Sequence, residues 1–489
     1  NKITDTARQQ ELRTAILLIK HFSHLLPLSA DPESALRQFQ DFLEKLFERP
    51  NWAEEVASLE RPEVLQALAQ VLGVSNFLWE DFLRMQYENL FPVVKDVEGL
   101  ALSKDRLQLQ SELEQALAAP SQPEADPIDI KGDRLAGGWR AALNAFKDRE
   151  LFRIDMRKIT GHTGAFDQFS QELSDLAEVI VANTSRLCEA ELTEQFGLPS
   201  QQNGAPCTYA IFALGKCGGR ELGFASDIEL MFLYGQNGFT SGPRIISAGE
   251  YYEKLVALFL GALRTRREGI FRIDLQLRPY GKAGSMAVSL AAFTKYFAPE
   301  GPAWAYERQA LTRLRPIAGD EALGEQVTAL RDAFVYTGEP FDAGAMRAMR
   351  ERQVRHNVGG GMFNAKYSPG GLLDIEYLVQ GLQITHGARH PTLRQTNTRA
   401  VMAELARLGY LSEQDATRLR RAHTFLRWLI DSLRVVRGNA KDLSVPPFGS
   451  EEFEFLTRRL QYGKDTQQLR QELARFTSDV IEINDRLLG

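Results

Sequence analysis

Asp227 and Glu229 stand two residues apart in DIELMFLY, whose apolar, strand-forming residues predict a short strand. Side chains two apart on a strand leave the same face, so both carboxylates share one side of a sheet. Asp274 sits in a second segment of strand-like alternation, RIDLQ. Carboxylates set among apolar strands are costly unless paired or bound to a cation. Hard divalent ions such as Mg²⁺ take oxygen ligands and bind triphosphates. Two of them can hold the attacking and leaving oxygens of an in-line displacement at phosphorus. Asp227, Glu229 and Asp274 are therefore the candidate catalytic and metal-binding residues.

The segment before the first acid, ALGKCGGRELGFAS, supplies the complementary half. Gly215, Gly218 and Gly219 would let backbone N–H groups approach phosphate oxygens closely. Lys216 and Arg220 would add positive charge and Ser226 a hydroxyl. A glycine-rich turn between strands is, by itself, more often only a turn, and an Asp-x-Glu pair on a strand is more often an exposed face. The order of turn, paired acids and a third strand acid is what favours the site. His386 and His390 have the spacing of metal ligands on a helix but lack an accompanying Glu or third ligand, so a packing role is expected for them.

The elements that must position these residues change character along the chain. Up to about 194 the pattern is helical. One apolar face is formed by Leu12, Ile16 and Ile19, a second by Leu36, Phe39, Leu43, Leu46 and Phe47, and Leu65, Leu68 and Val71 continue the pattern; an apolar run at Phe77, Leu78, Phe82 and Leu83 follows. Pro120, Pro123 and Pro127 interrupt the helices. From 195 to 335 the strands TYAIFAL, DIELMFLY and GIFRIDLQLRP alternate with the helical YYEKLVALFLGALRTRR. From 336 to 489 the spacing is helical again. The expected fold is α+β and predominantly helical, with a mixed sheet and its helices between two helical regions.

Size and composition narrow the class. A chain of 489 residues exceeds one compact core. Its net charge of −6 and lack of a basic run argue against bulk nucleic-acid binding. No apolar run is long enough for a membrane helix. Cys188, Cys207 and Cys217, odd in number and without CxxC spacing, fit a reducing cytoplasm better than a disulfide framework. The amino-terminal segment reads as an amphipathic helix without the features of a signal peptide.

The glycine turn, Asp-hydrophobic-acid pair and third strand acid resemble the DNA polymerase β-like nucleotidyltransferases. More narrowly, ALGKCGGRELGFASDIEL, RIDLQLRPYGKAGSMAVS, WAYERQALTRLRPIAGD and GGLLDIEYLVQ, in that order, resemble the glutamine synthetase adenylyltransferase family. The resemblance implies ATP as substrate, Mg²⁺ or Mn²⁺ as cofactor, glutamine synthetase as the protein modified on a tyrosine hydroxyl, and the PII signal protein as a regulatory partner. It places Asp227, Glu229 and Asp274 on the metal carboxylates, and Gly215, Lys216, Gly218, Gly219 and Ser226 on the phosphate loop. It also brings in Arg278, with Arg272 and Lys282 near the third acid. Glu229 stands where the family has Asp. The familiar enzyme is two such units in tandem, one adding and one removing the adenylyl group; ERQALTRLRPIAGD and FNAKYSPGGLLDIEYLVQ look closer to the adding half. A PII uridylyltransferase-like enzyme and a non-catalytic module that binds glutamine synthetase or PII are the alternatives. For Asp374 and Glu376 a role at a helix start is expected.

Overall fold

The computed structural model describes residues 2–29, 31–48, 61–73, 97–119, 138–163, 166–263, 271–437 and 441–488, with Trp52, Val56 and Leu59. The apolar run from Phe77 to Leu83 and the cluster Pro120, Pro123 and Pro127 lie outside the described residues. The fold is α+β and mostly helical, as expected, with a single five-stranded mixed sheet among the described residues.

The chain divides into two compact units, each assembled from separated segments. They do not follow the consecutive regions 1–194, 195–335 and 336–489, because compactness depends on which segments return to one another and local periodicity does not report that. The first unit takes residues 1–103, 148–169 and 428–474. In it α1 (Lys2–Ser23), α2 (Pro32–Phe47) and α3 (Pro62–Leu72) enclose an apolar core. Asp31 starts α2 by accepting from the Ser34 N–H at 3.1 Å, and Pro32 occupies the first helical position, where its missing N–H is no loss. Phe39, Phe42, Leu43 and Leu46 then fall on one buried face against Leu65 and Leu68. Leu12, Ile16 and Ile19 do not form the buried face of α1. All three are exposed, and Leu18 and Phe22 are buried instead, with Phe22 stacked on Phe39 at 3.9 Å. Apolar residues surround the helix there, so spacing alone could not choose between faces.

The second unit takes residues 104–147, 170–427 and 475–489. Its sheet contains β1 (Tyr209–Ala213), β2 (Ile228–Tyr234), β3 (Ile273–Asp274), β4 (Ala287–Ser289) and β5 (Arg315–Gly319). The order is β3–β2–β1–β5, with β4 also on β2. β1 runs antiparallel to β2 and β5; β3 and β4 run parallel to β2, at its beginning and its end. The expected strand GIFRIDLQLRP is much shorter than its pattern. Its described part holds only Ile273–Asp274, because the Asp274 carboxylate accepts the Gln276 N–H at 2.7 Å and turns the chain out of the sheet. β5 was not expected: it carries Pro316, which has no N–H to give a ladder, and it lies at the sheet edge where that is tolerated.

Met231 and Leu233 of β2 pack with Ala210 and Phe212 of β1 onto Leu323 and Val327 of the helix Glu321–Val335. On the opposite face Phe232 meets Phe259 of the helix Ala248–Ala262, edge to face at 5.1 Å. Glu229 and Asp227 continue the face of Met231 and Leu233 towards the strand's beginning, so two acids end a stripe that is otherwise core.

Candidate active site

β1 delivers the chain into a one-turn helix, α4 (Gly215–Gly218), and β2 begins again just after Asp227. The Leu214 N–H donates to the Glu229 carbonyl at 2.9 Å, which seats this turn against the start of β2. Glu229 is the register partner of Asp274 across the parallel β2–β3 pair, so both side chains leave the same face. Asp227 precedes the strand by one residue and is joined to this pair through Arg272. The guanidinium donates to both Asp227 oxygens, at 3.2 and 3.0 Å, and lies 3.8 Å from Asp274 Oδ2. The three acids of the sequence reading therefore belong to one cluster.

Glu229 is its unusual member. Its Oε2 is buried and has no hydrogen-bond partner among the described residues. Burial, reinforced by the charges of Asp274 and Asp227, pushes this carboxyl up to about 7 against the pull of Lys366 and Lys216. Gly215 makes the close approach possible. It has φ +50°, and a Cβ there would stand 2.4 Å from Glu229 Oε2. A buried acceptor without a donor, beside two further carboxylates, has the composition of a divalent-cation site. A cation would have to compete with Arg272 for Asp227.

Gly218 and Gly219 serve a different purpose from the one expected. Their N–H groups donate within the turn, to Leu214 O at 2.7 Å and Gly215 O at 3.1 Å. A Cβ on Gly218 would lie 1.9 Å from Arg313 O, so this glycine admits neighbouring backbone. Ser226 is buried, and its Oγ accepts from the Gly223 N–H at 3.0 Å. Arg220 turns to the helix Phe166–Phe196, pairing with Asp175 at 2.7 Å and Glu178 at 3.3 Å. Arg278 folds back onto its own loop, donating to Leu275 O and Gly284 O. Lys282 is exposed. His386 stacks on Tyr410 at 3.6 Å and His390 Nε2 lies 3.0 Å from the Tyr410 hydroxyl, the expected packing role.

Lys366, Asn364, Arg313 and Arg315 escaped sequence reasoning, whereas Asp374 was expected at a helix start. Lys366, in the turn before the helix Leu372–Gly387, is the foremost cation acting on Glu229. Asn364 shapes that turn by accepting from the Lys366 and Tyr367 N–H groups at 3.0 Å each. Asp374 reaches back to the Gly370 N–H at 2.7 Å and takes Arg350 at 2.7 Å, so its helix-start role carries an ion pair as well. Arg313 and Arg315 sit behind the glycine turn. The signal for all of them was resemblance: each lies in a family-like segment whose role no spacing rule reveals.

The compact set of metal-ligand types among the described residues lies elsewhere, at Glu221, Glu376 and His423, with ligand atoms within 4.8 Å of one another. Arg313 reaches Glu221 at 2.7 Å and Glu376 at 3.5 Å, and Arg427 stands 3.9 Å from Glu221. Two guanidiniums already neutralise these acids, which disfavours a cation there.

Residues 65–330 match the family model for glutamate-ammonia ligase adenylyltransferase, and residues 344–488 match that for PII-uridylyltransferase. The second match covers helices alone and none of the sheet. The chain is 32% identical over 365 residues to the bifunctional glutamine synthetase adenylyltransferase/adenylyl-removing enzyme of Stenotrophomonas maltophilia (strain R551-3), covering 71% of this chain and 38% of that protein. The enzyme of the same name from Bordetella pertussis is 34% identical over 330 residues, 64% of this chain and 34% of the relative. That from Pseudomonas aeruginosa is 31% identical over 380 residues, 74% and 37%. The chain thus spans well under half the length of the curated relatives it matches.

Proposed function

Because the chain belongs to the glutamate-ammonia ligase adenylyltransferase family, we propose that the acids at the start of β2 and on β3 transfer AMP from ATP to a tyrosine hydroxyl of glutamine synthetase. The observation that carries this reading is Glu229 Oε2, a buried acceptor without a donor among the described residues, one strand from Asp274 and against the glycine turn. Asp227, Glu229 and Asp274 would hold Mg²⁺ or Mn²⁺, whose chemistry when bound is to polarise the α-phosphate and withdraw charge from the leaving pyrophosphate. The N–H groups at the start of α4, with Lys216 and Lys366, face the triphosphate charge. Arg272 holds Asp227 and Asp274 together until the nucleotide arrives. Asp274, hydrogen-bonded to Gln276, would take the phenolic proton as the tyrosine oxygen bonds to the α-phosphorus and the bond to pyrophosphate breaks.

Incubation with α-labelled ATP, Mg²⁺ or Mn²⁺ and glutamine synthetase tests this, with label expected on the acceptor protein. Asp227→Asn should lower the transfer by about 10³-fold, the loss of several kcal/mol of charge stabilisation. The adenylyl-removing direction uses the same acids with inorganic phosphate as nucleophile. ADP release from adenylylated glutamine synthetase, with no transfer from ATP, would replace the proposed direction by that one.

A further inference from the structure

Four of the five carbonyls from Gly215 to Gly219 are held from behind by side chains of distant segments. Arg313 Nη1 donates to Gly215 O at 3.4 Å. Arg315 donates to Gly218 O at 3.0 Å and Cys217 O at 3.2 Å, and Asn397 Nδ2 to Gly219 O at 2.9 Å. Each donor is itself fixed. Arg313 is clamped by Glu221 at 2.7 Å and Thr398 Oγ1 at 2.6 Å, Arg315 by Glu178 at 2.6 Å. Asn397 caps the helix Thr398–Arg407, its Oδ1 accepting from Arg399 and Ala400 N–H at 3.1 and 3.0 Å.

A trans peptide unit is planar, with its N–H pointing opposite to its C=O. Pinning Gly215 O towards Arg313 therefore aims the Lys216 N–H the other way. It also fixes the Gly215 Cα that lies against the Glu229 carboxylate. A buried arginine that merely tied β5 to its neighbours would not need this arrangement. Three side chains from two regions converge on four carbonyls of one turn, the one that adjoins the acids.

We propose that Arg313, Arg315 and Asn397 are positioning residues of the transfer site: without touching nucleotide, they hold the 215–219 turn in the orientation from which the N–H groups at its start meet the triphosphate and Glu229 meets the cation. The proposal rests on the nucleotidyl-transfer reading above. It makes the segment joining the two helices after Lys366 part of the site's machinery, although it lies far from the acids in sequence.

Asn397→Asp separates this role from stability. Aspartate caps a helix as well as asparagine does, since both offer the same acceptor, but it has no donor for Gly219 O. Arg315→Lys keeps a cation near Glu178 and loses the fork that spans two carbonyls. Both variants should weaken Mn²⁺-dependent ATP binding and lower kcat/KM for ATP by about 10- to 100-fold, the scale for a misplaced site. The thermal midpoint and the KM for the acceptor protein should stay near wild type. Wild-type binding of ATP with Mn²⁺ in both variants, while Asp227→Asn abolishes it, overturns this proposal and leaves the active-site reading standing. A loss that falls equally on ATP and acceptor, in step with a lowered thermal midpoint, also overturns it. Absence of Mn²⁺-dependent ATP binding in the wild-type chain overturns both.

Discussion

Glu221 and Glu229 lie on either side of Asp227, one behind the glycine turn and one in front, and they have opposite fates. Burial would push the Glu221 carboxyl up, but Arg313, His423, Arg427 and the Thr398 N–H together hold it at about 2. It is a closed ion-pair network whose acceptors are used by Arg313 and Thr398. Glu229 is pushed up to about 7 because burial and two neighbouring acids outweigh two lysines, and its Oε2 has no donor among the described residues. A paired buried charge stabilises one arrangement of the chain, whereas an unpaired one stores an appetite for a ligand. The same stretch of chain thus has a structural side and a reactive side, separated by the thickness of one turn.

The most severe way to break this comparison is to neutralise each acid in turn. Glu221→Gln removes the close partner of a buried pair and leaves Arg313 only Glu376, 3.5 Å away, so it should cost about 3 kcal/mol in chemical denaturation. Glu229→Gln relieves repulsion with Asp227 and Asp274, so stability should hold or rise while Mn²⁺-dependent ATP binding is lost. Equal destabilisation by the two changes would erase the distinction. Gly215→Ala probes the turn between them. A side chain at positive φ costs about 1–2 kcal/mol, and here it must also displace the Glu229 carboxylate. Transfer should therefore fall more steeply than stability, measured as kcat beside the thermal midpoint.

Protonation sharpens the structural side further. Burial lowers His423, in the Glu221 network, to about 3 from its ordinary 6.5. The folded chain therefore excludes a proton that the unfolded chain accepts. The associated stability is present above about 6.5 and is lost as pH falls towards 3. Between pH 7 and 5.5 this amounts to about 1 kcal/mol, which a His423→Gln variant should not lose; parallel pH profiles of the two proteins would contradict it. On the reactive side the smallest effect concerns the metal. Mg²⁺ demands near-octahedral geometry, which the longer Glu side chain disturbs. Mn²⁺ should support transfer a few-fold better than Mg²⁺, and Glu229→Asp should narrow the gap. Identical rates with both ions in both proteins would show that the extra methylene is immaterial.

Much of this was legible in sequence because it follows from local periodicity. Short apolar runs of strand formers in DIELMFLY and TYAIFAL set two strands, parity put Asp227 and Glu229 on one face, and apolar spacing set the helices from Ala343–Asn357 to Thr466–Leu488. The register that sets Asp274 beside Glu229 is a long-range pairing, and no local pattern encodes it. Nor does local pattern distinguish Arg220, which turns to Asp175, from Arg313, which holds the turn; each is one arginine in a family-like segment. The face α1 buries was decided by its neighbours, since its apolar residues offered more than one. Residue types and their spacing determined which residues are candidates for chemistry. Which charges were answered by partners, and which were left for a ligand, only the packing of distant segments decided, because a buried charge takes its free energy from whatever tertiary structure sets beside it.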